Sequence, residues 1–377
     1  MKILHTADWQ LGKPFGAIEG DMAAVLREER FEAVKRIAAL ARERAVDAVL
    51  VAGDVFDSPT VPDTILRRLL AAIADYPGPW VLLPGNHDPA LAESPWTRLV
   101  QLGPPDNLHL AIEPVPVRLC DDRLVVLPAP LQRRHEPDDV SAAMDRMESP
   151  PDALRVGLAH GSVVGFDTEG EAANRIAPDR VTAARLDYLA LGDWHGTRRI
   201  APKIWYSGTP EPDRFRDNDP GHVLLVELDA PGEEPRVTQQ RLGRFRWQRI
   251  DYRCGTAGER DEAETLDREL ASRIGEDDEA VVRIRLEGAA DLAGRRRLEE
   301  VLERWRARCR YLECDLDALR DEPTEADLDA IDHGGFVRAA VERLRILTQE
   351  GEEAERARAR TALRILHGEH LDLAGDP

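Results

Sequence analysis

Cysteine is scarce and wrongly spaced for cross-linking. The 377-residue chain has four, Cys120, Cys254, Cys309 and Cys314, and no two stand in a CxxC pair. That argues against a disulfide framework or a cysteine zinc site, and for free thiols in a reducing compartment. No apolar run is long enough to span a bilayer. Met1-Lys2-Ile3-Leu4-His5 runs straight into an apolar strand, without the layout of a secretory leader. A cytoplasmic protein without membrane contact is expected. Positive charge is also short: 51 Lys and Arg stand against 71 Asp and Glu, a formal net charge of −20. Such a chain does not bind polyanions in bulk, so any nucleic-acid contact must come from local basic patches. Internal repeats are absent, and low complexity is confined to short charged runs such as Glu276–Glu279 and Glu350–Arg360.

What is present is a chain long enough for two or three domains, with ordinary apolar content. Its first two thirds repeat one pattern: a short apolar run, then a polar turn containing glycine. Residues 2–7 lead to Asp8-Trp9-Gln10. A helix is expected from about Met22 to Arg44, where Val25, Leu26, Phe31, Val34, Ile37 and Leu40 recur at helical spacing. The strand 47–52 ends in Gly53-Asp54-Val55-Phe56-Asp57. A helix over 63–76 precedes the strand 80–83, which ends in Pro84-Gly85-Asn86-His87-Asp88. Residues 107–130 suggest β-hairpins and 138–148 a helix. Strand 154–159 stops at His160-Gly161, and strand 187–191 at Gly192-Asp193-Trp194-His195. Ile204-Trp205-Tyr206 then meets Ser207-Gly208-Thr209-Pro210-Glu211, and 222–228 is a further strand. In layered α/β folds, ligands bind beyond the carboxyl ends of strands. Five such ends bearing Asp, Asn or His place their side chains on one rim.

The rim set is Asp8, Gln10, Asp54, Asn86, His87, His160, Asp193 and His195. Asp54, Asn86 and His87 would each suit an ordinary turn, and His160 alone would read as a core histidine. Together they have the donors a two-metal phosphoesterase needs: a carboxylate able to bridge two divalent ions, with neutral nitrogen and oxygen donors around it. Asp54, after a glycine at a strand end, suits the bridge. His87, beside Asn86 in a loop, suits protonation of a leaving alkoxide.

The motifs Asp8-Trp9-Gln10, Gly53-Asp54-Val55-Phe56-Asp57, Gly85-Asn86-His87-Asp88, His160-Gly161 and Gly192-Asp193-Trp194-His195 resemble the signature of the calcineurin-like metallophosphoesterases. Within that superfamily the opening ILHTADWQLGK, the segment YSGTPEPDRF, the length and the layout most resemble the SbcD-type nucleases. The resemblance covers residues 1–245, extends by layout to 246–320, and fades in the tail. It implies a four-layer αββα sandwich. It implies one metal on Asp8, Gln10, Asp54 and His195, a second on Asp54, Asn86, His160 and Asp193, and His87 as general acid. Gln10 and Asp193 stand where histidine is usual. Oxygen in place of imidazole nitrogen favours Mn²⁺ or Mg²⁺. Gln10 is either a weak ligand or passive, and Asp193 either a ligand or an orienting partner of His195.

The resemblance further implies DNA cleavage, as a 3′→5′ exonuclease and an endonuclease, beside an SbcC-type coiled-coil ATPase. A homodimer within a heterotetramer would meet through helices near 63–76 and 95–102. Two rival readings are a phosphodiesterase of small substrates and a catalytically silent subunit regulating an ATPase. The domains expected are 1–244, the di-metal unit; 245–322, a small α/β cap that binds DNA; and 323–377, a helical tail that docks the ATPase. In the cap, strands 245–254, 280–287 and 311–317 alternate with helices 258–274 and 291–309. The second helix carries Arg295, Arg296, Arg297, Arg304, Arg306 and Arg308 among Glu299, Glu300 and Glu303, which suits a salt-bridged face as well as a DNA tracker. In the tail, Phe336, Ala340, Leu344 and Leu347 form one stripe, and Leu363, Leu366 and Leu371 another. Asp57, Asp88 and His5 read as structural or orienting. Core packing is the better reading for Trp9 and Trp194, base stacking the sharper one. Arg198, Arg199, Arg214 and Arg216 suit either phosphate contacts or a solvated loop.

Overall fold

The computed structural model describes residues 1–166, 174–255, 261–321, 328–329, 335–350 and 352–374. The chain divides into two units, Met1–Arg246 and Trp247–Pro377.

In the first unit, β1 (Lys2–Thr6), α1 (Met22–Glu43), β2 (Ala48–Val51), α2 (Asp63–Ile73), β3 (Trp80–Leu82), α3 (Pro95–Gln101) and β4 (Leu108–Leu110) alternate along the chain. Strands β1 to β4 run parallel. β13 (His222–Glu227) and β14 (Arg236–Arg241) complete a six-stranded sheet ordered β14-β13-β1-β2-β3-β4. A second sheet is ordered β11-β12-β10-β7-β6-β5, from β5 (Val117–Leu119), β6 (Leu124–Ala129), β7 (Leu154–His160), β10 (Tyr188–Gly192), β11 (Arg198–Ala201) and β12 (Ile204–Tyr206); β8 (Ser162–Val163) and β9 (Arg175–Ile176) pair in a small sheet of their own, and α4 (Arg180–Ala183) precedes β10. Every residue of β2 is buried, as suits a parallel strand covered on both faces.

Alternation along the strands sorts the layers. Ile3, Leu50 and Val81 pack against Val126, Val156, Leu158 and Tyr188 of the opposite sheet. Leu4, Val49, Val51 and Leu82 face Phe31, Val34, Leu66 and Trp96 on the helical side. Val125, Leu127 and Leu189 pack outward on Met144 and Leu186. The result is the expected four-layer αββα sandwich. His5 sits between the sheets. Its Nδ1 lies 2.9 Å from the Tyr188 hydroxyl and its Nε2 3.1 Å from the Leu191 carbonyl. Burial pushes its pKa down to about 3, so it is a neutral core histidine joining the two layers.

Several local expectations change. Residues 107–130 hold one hairpin, β5 with β6, while β4 joins the other sheet in parallel. The stretch 138–148 forms a 3-10 helix, Val140–Arg146, not an α-helix; Asp139 caps it, accepting from the Ser141 amide at 2.9 Å. β11 and β14 lack apolar runs: both are edge strands, half exposed, and neither shows in hydrophobic patterning.

In the second unit, β15 (Arg246–Arg253), α5 (Glu262–Ile274), β16 (Ala280–Ala290), α6 (Leu292–Arg306) and β17 (Tyr311–Asp321) build a sheet ordered β15-β16-β17, with β16 and β17 parallel. Val282, Ile284 and Leu286 are buried with Leu266, Leu270, Leu302 and Trp305. The arginines of α6 are mostly paired: Arg295 with Glu299 at 3.2 Å, Arg304 with Asp267 at 3.7 Å, and Arg306 with Glu303. Such pairing fits the salt-bridged reading of this helix. Helices Gly335–Glu350 and Glu353–Ala374 follow. Here the buried stripe is Val341 with Leu363, flanked by Val337, Leu344 and Leu366. Phe336 is 85% exposed: Val337 and Val341 take the places expected for Phe336 and Ala340, while Leu344 keeps its place on the stripe. The Leu371 side chain lies outside the described residues.

Candidate metal centre

Five strand ends meet where the two sheets' carboxyl edges face each other. β1 delivers Asp8 and Gln10, β2 Asp54, β3 Asn86 and His87, β7 His160, and β10 Asp193 and His195. β7 and β10 run parallel with Gly192 level with His160. Asp8, Asp54 and His160 are buried, and one donor atom from each lies within 4.8 Å of the others. The backbone is strained to do this. Asp8 (φ 55°), Gln10 (φ 44°), Asp54 (φ 51°) and Asp193 (φ 100°) are left-handed, at about 1–2 kcal/mol each. Backbone hydrogen bonds from the Asp8 N–H to the Gly53 carbonyl (3.1 Å) and from the Gln10 N–H to the Asp54 carbonyl (2.8 Å) hold the turns together. Strain of this kind gathers at functional sites.

One half of the cluster is built to receive a cation. His160 Nδ1–H donates to the Ala52 carbonyl at 2.8 Å, so Nε2 is the nitrogen that faces the cluster, carrying a proton until an ion takes its place. Nε2 is buried and has no hydrogen-bond partner among the described residues. It points between Asp54 Oδ1 at 3.4 Å and Asp193 Oδ1 at 3.8 Å. Asn86 Oδ1 is likewise buried without a partner, while its Nδ2 donates to Asp193 Oδ1 at 3.5 Å. A buried Asn86 oxygen without a donor, and an imidazole nitrogen set between two carboxylates, call for a cation: a proton on His160, or a metal ion in its place. The donor set therefore fits a divalent ion.

Residues 1–167 match the family model of the calcineurin-like phosphoesterases. The chain carries a calcineurin-like metallophosphoesterase domain. Its chemistry is that of a metal-dependent phosphoesterase, a hydrolase. Among its relatives, the D component of the nuclease SbcCD from Bacillus subtilis is 26% identical over 270 residues, covering 62% of this chain and 68% of the relative. The Rhodobacter capsulatus protein of the same name is 29% identical over 285 residues, covering 63% of this chain and 68% of that one. The DNA double-strand break repair protein Mre11 of Aeropyrum pernix is 28% identical over 276 residues, covering 68% and 64%.

The other half of the phosphoesterase site is arranged differently. His195 Nδ1 donates to Asp213 Oδ1 at 3.0 Å, and its Nε2 faces the Gln10 amide nitrogen at 3.2 Å. Gln10 Oε1 accepts from Lys13 Nζ at 2.6 Å, and the same ammonium reaches Asp213 Oδ2 at 2.7 Å. Arg214 Nη2 is nearly equidistant from the His195 ring nitrogens, at 2.9 and 3.0 Å, so it lies across the ring. Burial opposes charge on Asp213, but His195, Arg30 and Lys13 hold its pKa well below the usual carboxylate range. Buried Arg30 donates to the carbonyls of Glu211 and Asp8.

His87 is half-buried at the rim. Its amide donates to Asp54 Oδ1 at 2.9 Å and its Nδ1 lies 3.0 Å from the Asp57 carbonyl. Asp88 accepts from the Phe56 and Gly85 amides at 2.9 and 2.6 Å, so it ties two rim turns together rather than facing the cluster. Trp9 is buried against Trp80, and its Nε1 donates to Thr6 at 2.9 Å, a core role. Trp194 is half-buried, edge-on to Phe166 and under Arg216. Arg199 pairs with Glu234 at 2.9 Å. Sequence reasoning missed Lys13, Arg30 and Asp213. Asp213 lies in the YSGTPEPDRF segment, after a sixth strand end, but nothing local marks it as the partner of a histidine 18 residues away.

Protons compete with metal here. Burial opposes charge on His160, yet Asp54, Asp8 and Asp193 outweigh it and push its pKa up to about 9. Burial pushes Asp8 up to about 6, against the pull of His195 and His160. Below about pH 9, an incoming ion must displace the His160 proton, so Mn²⁺ affinity should rise about tenfold per pH unit and level off above that. Below about pH 6 the proton on Asp8 should further weaken binding in the half made by Asp8, Gln10 and His195. Calorimetric titrations across this range check it; a flat affinity would remove His160 from the ligand set.

Proposed function

We propose that this chain is a Mn²⁺-dependent DNA nuclease, both a 3′→5′ exonuclease and an endonuclease, and the nuclease subunit beside an SbcC-type coiled-coil ATPase. The observation that carries the reading is the pair of buried, unpartnered donors, His160 Nε2 and Asn86 Oδ1, next to Asp54. The relatives' names support DNA as substrate and the SbcC-type partner. In this reading Asp54, Asn86, His160 and Asp193 hold one ion, while Asp8, Gln10, His195 and Asp54 face a second position. Divalent ions bound there supply an activated water and neutralise charge developing on the phosphate oxygens. The oxygen-rich donor set favours Mn²⁺ or Mg²⁺.

The chain's own groups do the rest. Asp57's carbonyl accepts from His87 Nδ1–H and fixes the ring, so the doubly protonated imidazolium would hand its Nε2 proton to the leaving oxygen and be left neutral, with the Nδ1 bond kept. Asp213 orients His195. We further propose a cap that binds DNA over 245–322, a tail over 323–377 that docks the ATPase, and a homodimer formed through α2 and α3. Four free cysteines suit a reducing cytoplasm.

Nicking of supercoiled plasmid by the purified chain with Mn²⁺ tests the activity. His87→Ala should lower the rate by about 10²–10⁴-fold while Mn²⁺ affinity stays within about twofold, because His87 gives the cluster only its backbone amide. Hydrolysis of small diesters alone would move the reading to a small-substrate phosphodiesterase. No hydrolysis of either substrate would favour a silent regulatory subunit.

A further inference from the structure

The two halves of the site are not equivalent, and Lys13 is the reason. An ammonium group only donates hydrogen bonds. Lys13 Nζ, 2.6 Å from Gln10 Oε1, therefore fixes which end of the Gln10 amide is oxygen and turns the other end, the NH₂, toward His195. An amide NH₂ has no lone pair for a metal. Gln10 so held presents N–H where a ligand should present oxygen or nitrogen, and its N–H occupies the His195 Nε2 lone pair at 3.2 Å. Lys13 is anchored from behind by Asp213 at 2.7 Å, and its side chain is only 20% exposed. Both of its short bonds are charge-assisted. A fixed positive charge beside the position also repels a second cation. Across the cluster nothing comparable covers His160 Nε2 or Asn86 Oδ1 among the described residues.

We infer that this chain holds one divalent ion tightly, in the half made by Asp54, Asn86, His160 and Asp193, and that Lys13 and Gln10 form a latch over the Asp8, Gln10 and His195 half. A second ion enters only when the Lys13–Gln10 bond breaks and the amide turns over. The inference rests on the metal-dependent reading above. It makes Lys13 a positioning residue that sets metal stoichiometry.

The test counts ions without relying on catalysis. The purified full chain is titrated with Mn²⁺ alone while free Mn²⁺ is followed by electron paramagnetic resonance, which also reports spin coupling when two ions lie side by side. Wild type should take one ion tightly and a second about 10- to 100-fold more weakly, the range expected for breaking a charge-assisted bond. Lys13→Met should close that gap to less than about tenfold and bring up the coupled-pair signal at low Mn²⁺. Gln10→His leaves Lys13 in place but restores a lone pair, and should do the same, which guards against misfolding of either variant. His160→Ala should remove the tight ion. Two ions of equal affinity in wild type would overturn the latch while leaving the metal-dependent reading intact, as would an unchanged gap in both variants. Absence of any Mn²⁺ binding by wild type would overturn both.

Discussion

Asp54→Asn should abolish hydrolysis, by on the order of 10³-fold or more, while leaving the metal-free fold intact. In the proposed reading Asp54 is the one carboxylate that both halves of the site share. Its Oδ1 lies 3.4 Å from His160 Nε2 and accepts the His87 amide at 2.9 Å. An asparagine of the same shape can still accept from that amide, so the rim turn keeps its form. What disappears is the negative charge that would offset a divalent ion, and Mn²⁺ affinity should fall together with the rate. Metal-free stability should change little, because the repulsion by which Asp54 helps to raise the pKa of Asp8, Asp88 and Asp193 offsets its attraction for the protonated His160. Plasmid nicking, Mn²⁺ titration and thermal melting of the metal-free variant form the test. Residual activity within about tenfold of wild type would remove Asp54 from the centre of the chemistry.

Gly53→Ala should be more damaging than its size suggests. Gly53 has φ 89°, and a Cβ there would collide with Nδ1, Cγ and Cβ of His160. The left-handed backbone costs a non-glycine residue about 1–2 kcal/mol, and the overlap roughly 1–3 more. The ring cannot swing aside cheaply, because Nδ1 is bonded to the Ala52 carbonyl directly before the substitution. We expect unfolding in urea to lose about 3 kcal/mol and Mn²⁺ binding to weaken at least tenfold, since a displaced ring no longer aims Nε2 at Asp54. A variant with both quantities near wild type would show that His160 tolerates a shift, and that its present orientation is not what the metal requires.

Much of the centre was legible in the sequence. Buried parallel strands read as short apolar runs, and a strand that ends in a site must stop at a turn able to adopt left-handed backbone. Gly53-Asp54 and Gly192-Asp193 announce such turns, while Gly85, before Asn86, is a close approach where a Cβ would meet the Asp54 carboxylate; the candidate rim residues follow from the alternation of strand and turn. The edge strands β11 and β14 were not legible, because half-exposed edges carry no apolar period. The 3-10 helix was not either, since its apolar spacing matches an α-helix and its tighter winding is set by packing between sheet and loop. The phase of the tail's stripe depended on which face the neighbouring helix covers.

The sequence by itself determined the alternation of strands and helices, the strand-end rim and the candidate side chains on it, because these depend on local periodicity and turn chemistry, while the four-layer sandwich was what the resemblance implied. Only the tertiary structure decided what each side chain is free to do. Gln10 reads as a ligand until Lys13, three residues on, is seen to take its oxygen, and Asp213, 200 residues beyond Lys13, to hold the ammonium in place. Availability of a lone pair depends on every donor within about 3 Å of it, and those donors come from turns far apart in the chain.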